Sequence, residues 1–477
     1  MKYYDIFDKD IKTISIVNRK FSSLRTSTNM DFSNYLVLPA FVDAHTHAIS
    51  MTIRHNWLDL IDVDSKKALL SIIKEYMDNN MPYLIGYRFD ESKWSDDKSY
   101  PTRKELDDVA PDMPVYLVRI DGHIAVANTK TIDVLGLKRD MFHDYHRGII
   151  VEDNVHRVEK MFIRRYNIAP SEKAIEEFIL RAIPAVCDMN MSDDPPKRFL
   201  DKISKTLEIH FYKTITNITD LGIEEIAKKL ERYKARQCGL KLFVDGSIGA
   251  RTAFLEQPYR DDPSNRGVLL MDQNLLEEIV SIANRLRIQL AIHAIGDAAI
   301  DIALNALKLG DPSLRHRIEH FELPHEDHIQ KLSRYGVIPS MQPNFIANWQ
   351  IRGGLYERRL GWDRAKSMNP LKTIFDSFGL ISFGSDCMPL DPFYGIYGAL
   401  IHPLEHERLS FEEAVICYTY GSAYSFFCEN RLGKIDEGYD ASFGVYNLPR
   451  DKLSPELIRS AKPLFMFIRG EKIHTSK

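Results

Sequence analysis

Short apolar runs rich in β-branched and aromatic residues recur along the chain. They fall at residues 35–42, 182–187, 207–212, 240–244, 288–293, 315–318, 337–341 and 380–383. Amphipathic stretches separate several of them. LLEEIVSIANRLR precedes the fifth run and HEDHIQKLSRYG precedes the seventh. Apolar runs of strand length alternating with helix-period segments predict parallel βαβ units. Eight such runs suit an α/β (β/α)8 TIM barrel.

One interval breaks the rhythm. About 140 residues separate the first run from the second, whereas a βα unit needs only about 30. Residues 54–170 are therefore expected to be a large insertion after the first barrel strand. They contain a polar, loop-like stretch (ESKWSDDKSYPTRKE) and a strand-like one (MPVYLVRI). An excursion that follows a barrel strand is expected on the face where active sites form. The two ends do not continue the barrel pattern. Residues 1–35 and 431–477 read as turns and short strands, and chain termini commonly lie close together. They predict one composite β-sandwich domain, with the barrel occupying 36–430.

Composition narrows the class without naming a ligand. The chain has 477 residues, 44% hydrophobic and 27% charged, with 63 Lys plus Arg against 67 Asp plus Glu. A net charge of −4 and the lack of a basic block argue against a nucleic-acid partner. Charges interrupt the N-terminus at once, and no run reaches the roughly 20 apolar residues of a membrane span. Five scattered cysteines without a CxxC suit a reducing cytoplasm rather than a disulfide framework or a structural zinc site. A cytoplasmic location, a small-molecule substrate and no membrane partner are the expectations. A homodimer is a common assembly for a chain of this size.

Candidate chemistry gathers at the ends of the predicted strands. His45 and His47 follow an apolar run, and strand alternation points them the same way. Such a pair can grip one metal ion, or merely pack and hydrogen-bond. His293 ends the fifth run and His320 ends RHRIEH just after the sixth, 27 residues apart, close to one βα unit. Asp386 ends ISFGSD and suits either a helix N-cap or a metal ligand and general base. Lys241 lies inside GLKLFVDGS, and a lysine in an apolar strand is costly unless paired or chemically altered. It is read either as a partner of Asp245 or as a lysine carboxylated by CO₂.

These segments together resemble the amidohydrolase superfamily. LPAFVDAHTH is similar to its first-strand motif. More narrowly, the chain resembles the amidohydrolase-3 branch, which includes N-substituted formamide deformylase. The matching segments are GYRFDESKW, VRIDGHIAVANT, LKLFVDGSIGARTAFLEQPYRDD, LAIHAIGDAAID, RHRIEHFELPHEDHIQKLSRYGVIPSMQP, FGSDCMPLDPF and RLGKIDEGYDA. They run in family order over nearly the whole chain. The resemblance implies a metal-dependent hydrolase acting on a non-peptide C–N bond. It implies that His45, His47 and Asp386 hold one divalent metal ion and that His293 and His320 hold a second. It further implies that carboxylated Lys241 bridges the two and that Asp386 takes the proton of a metal-activated water. Zinc suits these ligands, as one or two ions per chain. The chain departs from the pattern where the usual Ala-Asp pair becomes Ala441-Ser442.

Four residues are candidates for substrate contact: His123, Asp245, Arg251 and Gln342. Each has a structural alternative as a cap, turn or core group, as does Asp297, which could orient His293 or cap a helix. Ester, lactone or phosphoester hydrolysis is the alternative chemistry on the same metal site. Deamination is disfavoured, because the Glu that such enzymes place three residues after the fifth-strand His is Gly296 here. The non-enzymatic alternative is a scaffold that has lost its ligands, yet every expected ligand position is occupied.

Overall fold

The computed structural model of the protein describes residues 1–23, 30–79, 81–191, 197–215, 217–235, 238–448 and 453–475. The chain divides into two compact units, Ser50–Ser171 and the remainder. In the larger unit eight parallel strands form one sheet. They are β1 (Val42–Thr46), β2 (Ala185–Met191), β3 (Glu208–Lys213), β4 (Gly239–Phe243), β5 (Leu290–Ala294), β6 (Arg317–His320), β7 (Ile338–Met341) and β8 (Ser382–Phe383). They pair in order from β1 through to β8, which is the α/β barrel architecture that the alternation predicts. The two helical segments singled out by period form helices at Gln273–Leu286 and Glu326–Tyr335.

β8 comes up against β1 at the site end, where the Asp386 amide donates to the His45 carbonyl at 2.7 Å. Gly384 makes that approach possible, since a Cβ there would lie 2.4 Å from the His45 nitrogen.

The first apolar run divides between two sheets. Its early residues belong to Asp31–Pro39, which pairs antiparallel with Phe443–Tyr446. The Ala40 amide donates to the Ser442 carbonyl, and the next amide, Phe41, donates to the Ala182 carbonyl. Hydrogen bonding thus passes from the terminal sheet to the barrel across one residue, and β1 begins only at Val42. Apolar content could not reveal this boundary, because both neighbouring sheets bury the strand. The terminal sheet has six strands drawn from both ends of the chain, accompanied by a separate two-stranded pair. At the altered Ala-Asp position, the Ser442 hydroxyl accepts from the Arg469 amide at 3.0 Å.

The smaller unit holds a five-stranded sheet in the order Ile149–Val151, Ile124–Ala127, Val115–Arg119, Leu84–Phe89 and Leu58–Asp59. Alternation gives the sheet two apolar faces. Tyr116 and Val118 join one core cluster, while Val115 and Leu117 join another. Among the described residues, no helix is long and apolar enough to cross a membrane.

Candidate metal centre

Four imidazoles meet at the C-terminal ends of the barrel strands. His45 and His47 share one face of β1 and its continuation, with ring centroids 5.7 Å apart. The His320 ring lies 4.8 Å from that of His45 and 4.4 Å from that of His293. Asp386, just beyond β8, brings Oδ1 to 2.9 Å from His47 Nε2 and 3.8 Å from His45 Nε2. The ligand atoms of His45, His47 and Asp386 all lie within 4.8 Å of one another.

Backbone conformation contributes to this convergence. Alternation along β6 places Arg317 and Glu319 on one face and His320 on the other. His320, however, adopts φ +74° and Phe321 φ +50°, so the strand ends in the left-handed region rather than continuing. Asp386 and Cys387, at +50° and +60°, do the same after β8. Bulky residues pay for that conformation, and such strain tends to collect at functional sites.

The hydrogen bonds orient the rings. His47 Nδ1 donates to the Met189 carbonyl at 2.7 Å. Its Nε2 then faces Asp386 Oδ1, so both nitrogens confront acceptors. His45 Nδ1 lies 2.6 Å from Glu319 Oε2. Burial, helped by nearby Lys241, pushes the His45 pKa down to about 4. The neutral ring therefore keeps its proton on Nδ1 and presents a bare Nε2. His293 Nε2 lies 3.0 Å from the Gly246 carbonyl, a contact that fixes the orientation of the ring.

Lys241 lies on β4 with 2% of its surface exposed, and its Nζ has no hydrogen-bond partner. It sits 5.1 Å from the Phe243 ring centroid. Burial pushes its pKa down to about 8, against the pull of Glu319 and Asp386. Asp245 is not its partner. That carboxylate accepts instead from the amides of Phe254, Ile295 and Gly296 at 2.9–3.0 Å. Burial works against ionisation of Asp386, but His45, His47 and Lys241 together hold its pKa below the ordinary value.

The proposed substrate contacts are less convergent. Asp245 is occupied as described, with Oδ1 3.7 Å from His293 Nε2. Arg251 forms a two-pronged pair with Asp261 at 2.8 and 3.0 Å. Gln342 follows β7, is buried, and leaves its Oε1 without a partner. His123 belongs to the smaller unit, where its Nδ1 lies 2.7 Å from Glu152 Oε2. Asp297 opens the helix Asp297–Leu307 and accepts from the Glu256 amide at 2.8 Å. In the smaller unit, two of the motif segments meet as a buried ion pair: Arg119 donates to both oxygens of Glu91 at 2.9 and 3.1 Å.

Two residues at the centre were missed in the sequence. Glu319 and Arg317 are fully buried, and the guanidinium donates to both Glu319 oxygens at 2.8 and 3.0 Å. Arg317 also donates to the Ala44 carbonyl, the Ser340 hydroxyl and the Ser425 hydroxyl at 2.7–3.3 Å. Burial would raise the Glu319 carboxyl, but Arg317 and His45 overcome it and hold the pKa below its ordinary value. The signal available was a charged pair at i, i+2 straddling the end of the sixth apolar run. Strand alternation sends both side chains into the barrel, where only mutual pairing can pay for their burial.

A barrel that gathers imidazoles and a carboxylate at this rim is built like the metal-dependent hydrolases. The chain belongs to the amidohydrolase family, whose model matches residues 29–473. It is 29% identical to the putative amidohydrolase YtcJ of Bacillus subtilis (strain 168), over 90% of this chain and 87% of that protein. It is 23% identical to N-substituted formamide deformylase of Arthrobacter pascens, over 92% of this chain and 89% of that one. The crystal structure of an uncharacterized metal-dependent hydrolase from Pyrococcus furiosus superposes with a TM-score of 0.71 at 29% identity. That superposition covers 94% of this chain and 98% of the other.

Proposed function

We propose that the protein hydrolyses a non-peptide, amide-like C–N bond at a divalent metal centre, with Asp386 as general base. The supporting observation is the meeting of His45, His47 and Asp386, with ligand atoms within 4.8 Å of one another, at the C-terminal rim of the barrel. The donor set fits a divalent cation. His47 faces acceptors at both nitrogens, and His45 presents a bare Nε2 toward the same carboxylate. Two imidazoles and a carboxylate suit zinc. His293 and His320 would hold a second ion. Lys241, a buried amine without a hydrogen-bond partner, would bridge the two after its Nζ adds to CO₂ and releases a proton.

When bound, the metal supplies Lewis acidity, which lowers the pKa of a water to about 7 and polarises a carbonyl. The chain's own residues do the rest. Met189 and Glu319 hold the two β1 imidazoles in orientation. Asp386, held below its ordinary pKa, is ionised at neutral pH and can accept the water proton at a carboxylate oxygen. It then delivers that proton to the leaving nitrogen, so that amide and water become acid and amine. N-acyl and N-formyl compounds are the first substrates to try.

Metal analysis and a reconstituted screen against amides, lactones and phosphotriesters test the reading, with Asp386→Asn run beside the native chain. The expected result is about one or two ions per chain and turnover of an amide. A reconstituted chain holding no stoichiometric metal, or undiminished turnover in Asp386→Asn, would overturn it.

A further inference from the structure

Glu319 stands between a fixed guanidinium and a ligand-type imidazole. Arg317 Nε donates to Oε1 at 2.8 Å and Nη2 donates to Oε2 at 3.0 Å. Oε2 also receives His45 Nδ1 at 2.6 Å. The guanidinium cannot readily turn away, because the Ala44 carbonyl at 2.7 Å and the Ser340 hydroxyl at 2.9 Å anchor it to β1 and β7. All three side chains are essentially closed to solvent.

Stability alone is a poor account of this arrangement. A buried ion pair loses the hydration of both charges, and a well-packed apolar pair is often at least as stable. A carboxylate at one ring nitrogen has a different use: it settles the tautomer, restrains the ring, and makes the other nitrogen a better donor to a cation. His47 lacks this device, since a neutral carbonyl serves its Nδ1.

We infer that Glu319, clamped by Arg317, is a positioning residue that locks His45 with Nε2 bare and so raises the divalent-cation affinity of the His45, His47 and Asp386 group. The inference rests on the reading of that group as a metal centre. Glu319 touches neither substrate nor reacting atoms.

Removing Glu319 alone would strand Arg317 in the core, so the test compares two double variants that both remove the ion pair. Arg317→Met with Glu319→Gln keeps an acceptor for His45, whereas Arg317→Met with Glu319→Leu removes it at similar volume. Zinc affinity is measured on metal-free protein by competition with a chromophoric chelator, alongside the metal-free melting temperature. The Leu variant should bind zinc about 10–100-fold more weakly than the Gln variant at a similar melting temperature. Equal affinities would overturn the inference while leaving the metal reading intact. A native chain that takes up no zinc would overturn that reading and this one with it. A second measurement needs no fold-sensitive double variant. Histidine-selective ¹⁵N spectra of the metal-free native chain, with His45 identified by its loss in His45→Asn, should show the proton on Nδ1. A proton on Nε2 would overturn the inference on the native protein.

Discussion

His45, His47 and Asp386 at the C-terminal end of the barrel, and Glu208, His210 and Cys428 at its N-terminal end, are alike in residue type. In each trio the ligand atoms lie within 4.8 Å of one another. Their neighbours differ. Arg431 Nη2 donates to Glu208 Oε1 at 2.5 Å and reaches Cys428 Sγ at 3.8 Å, while Arg469 meets the other Glu208 oxygen at 3.4 Å. A guanidinium thus already stands where a cation would bind. At the C-terminal end Asp386 faces imidazoles, and the nearby Lys241 amine has no hydrogen-bond partner. Clustered ligand-type residues therefore do not define a metal site by themselves. The positive charge already present decides whether the cluster is a finished ion-pair network or an incomplete one.

The sharpest way to break this contrast is to substitute one member of each trio. Asp386→Asn should lower kcat about 10²–10⁴-fold on whichever amide the screen identifies, as loss of a general base does. Cys428→Ser should leave kcat within about twofold. Comparable losses in both would erase the distinction. Next in size, Lys241→Met should stabilise the metal-free chain by about 1–3 kcal/mol, because it removes a buried amine that hydrogen-bonds to nothing. The same variant should take up less metal. Calorimetry and metal analysis read the two effects, and a loss of metal-free stability would mean that the amine is paired after all.

At the other end the sign reverses. Arg431→Met should destabilise the fold by about 1–2 kcal/mol in denaturant unfolding, because it leaves Glu208 and Asp440 short of a partner. Turnover should be unchanged. The smallest expected effect is a pH dependence. Burial opposes charging of His210, but Cys428 at 3.7 Å and Glu208 at 2.8 Å push its pKa up to about 9. A pKa raised in the folded state stabilises fully below the ordinary value near 6.5 and is lost as pH rises through about 9. The melting temperature should therefore fall over that interval, and less steeply in His210→Gln. Parallel curves for the two chains would count against the raised pKa.

The candidate ligands were legible in the chain because each stands at or just beyond the end of an apolar run, and strand ends on one side of a parallel barrel share a rim. His45, His47, His293, His320 and Asp386 were singled out in this way, and Lys241 by its cost in an apolar strand. Periodicity also drew the eight-stranded architecture and both segment helices. It misplaced the first strand, because the run at 35–42 is apolar in both sheets that it serves, and the transfer between Ala40 and Phe41 depends on which carbonyls lie opposite. Glu319 and Arg317 escaped notice because their importance lies in partners distant in sequence, at Ala44 and Ser340.

Local pattern, then, was enough to say which residue types stand at which strand ends, since alternation and helical period are properties of neighbouring residues. Partner choice was beyond it. That Asp245 serves three amides while Asp386 faces the imidazoles, and that His320 turns back through a left-handed backbone, follow from contacts between segments far apart in the chain. Such contacts exist only once the barrel has closed and each buried charge has found the group that offsets its lost hydration.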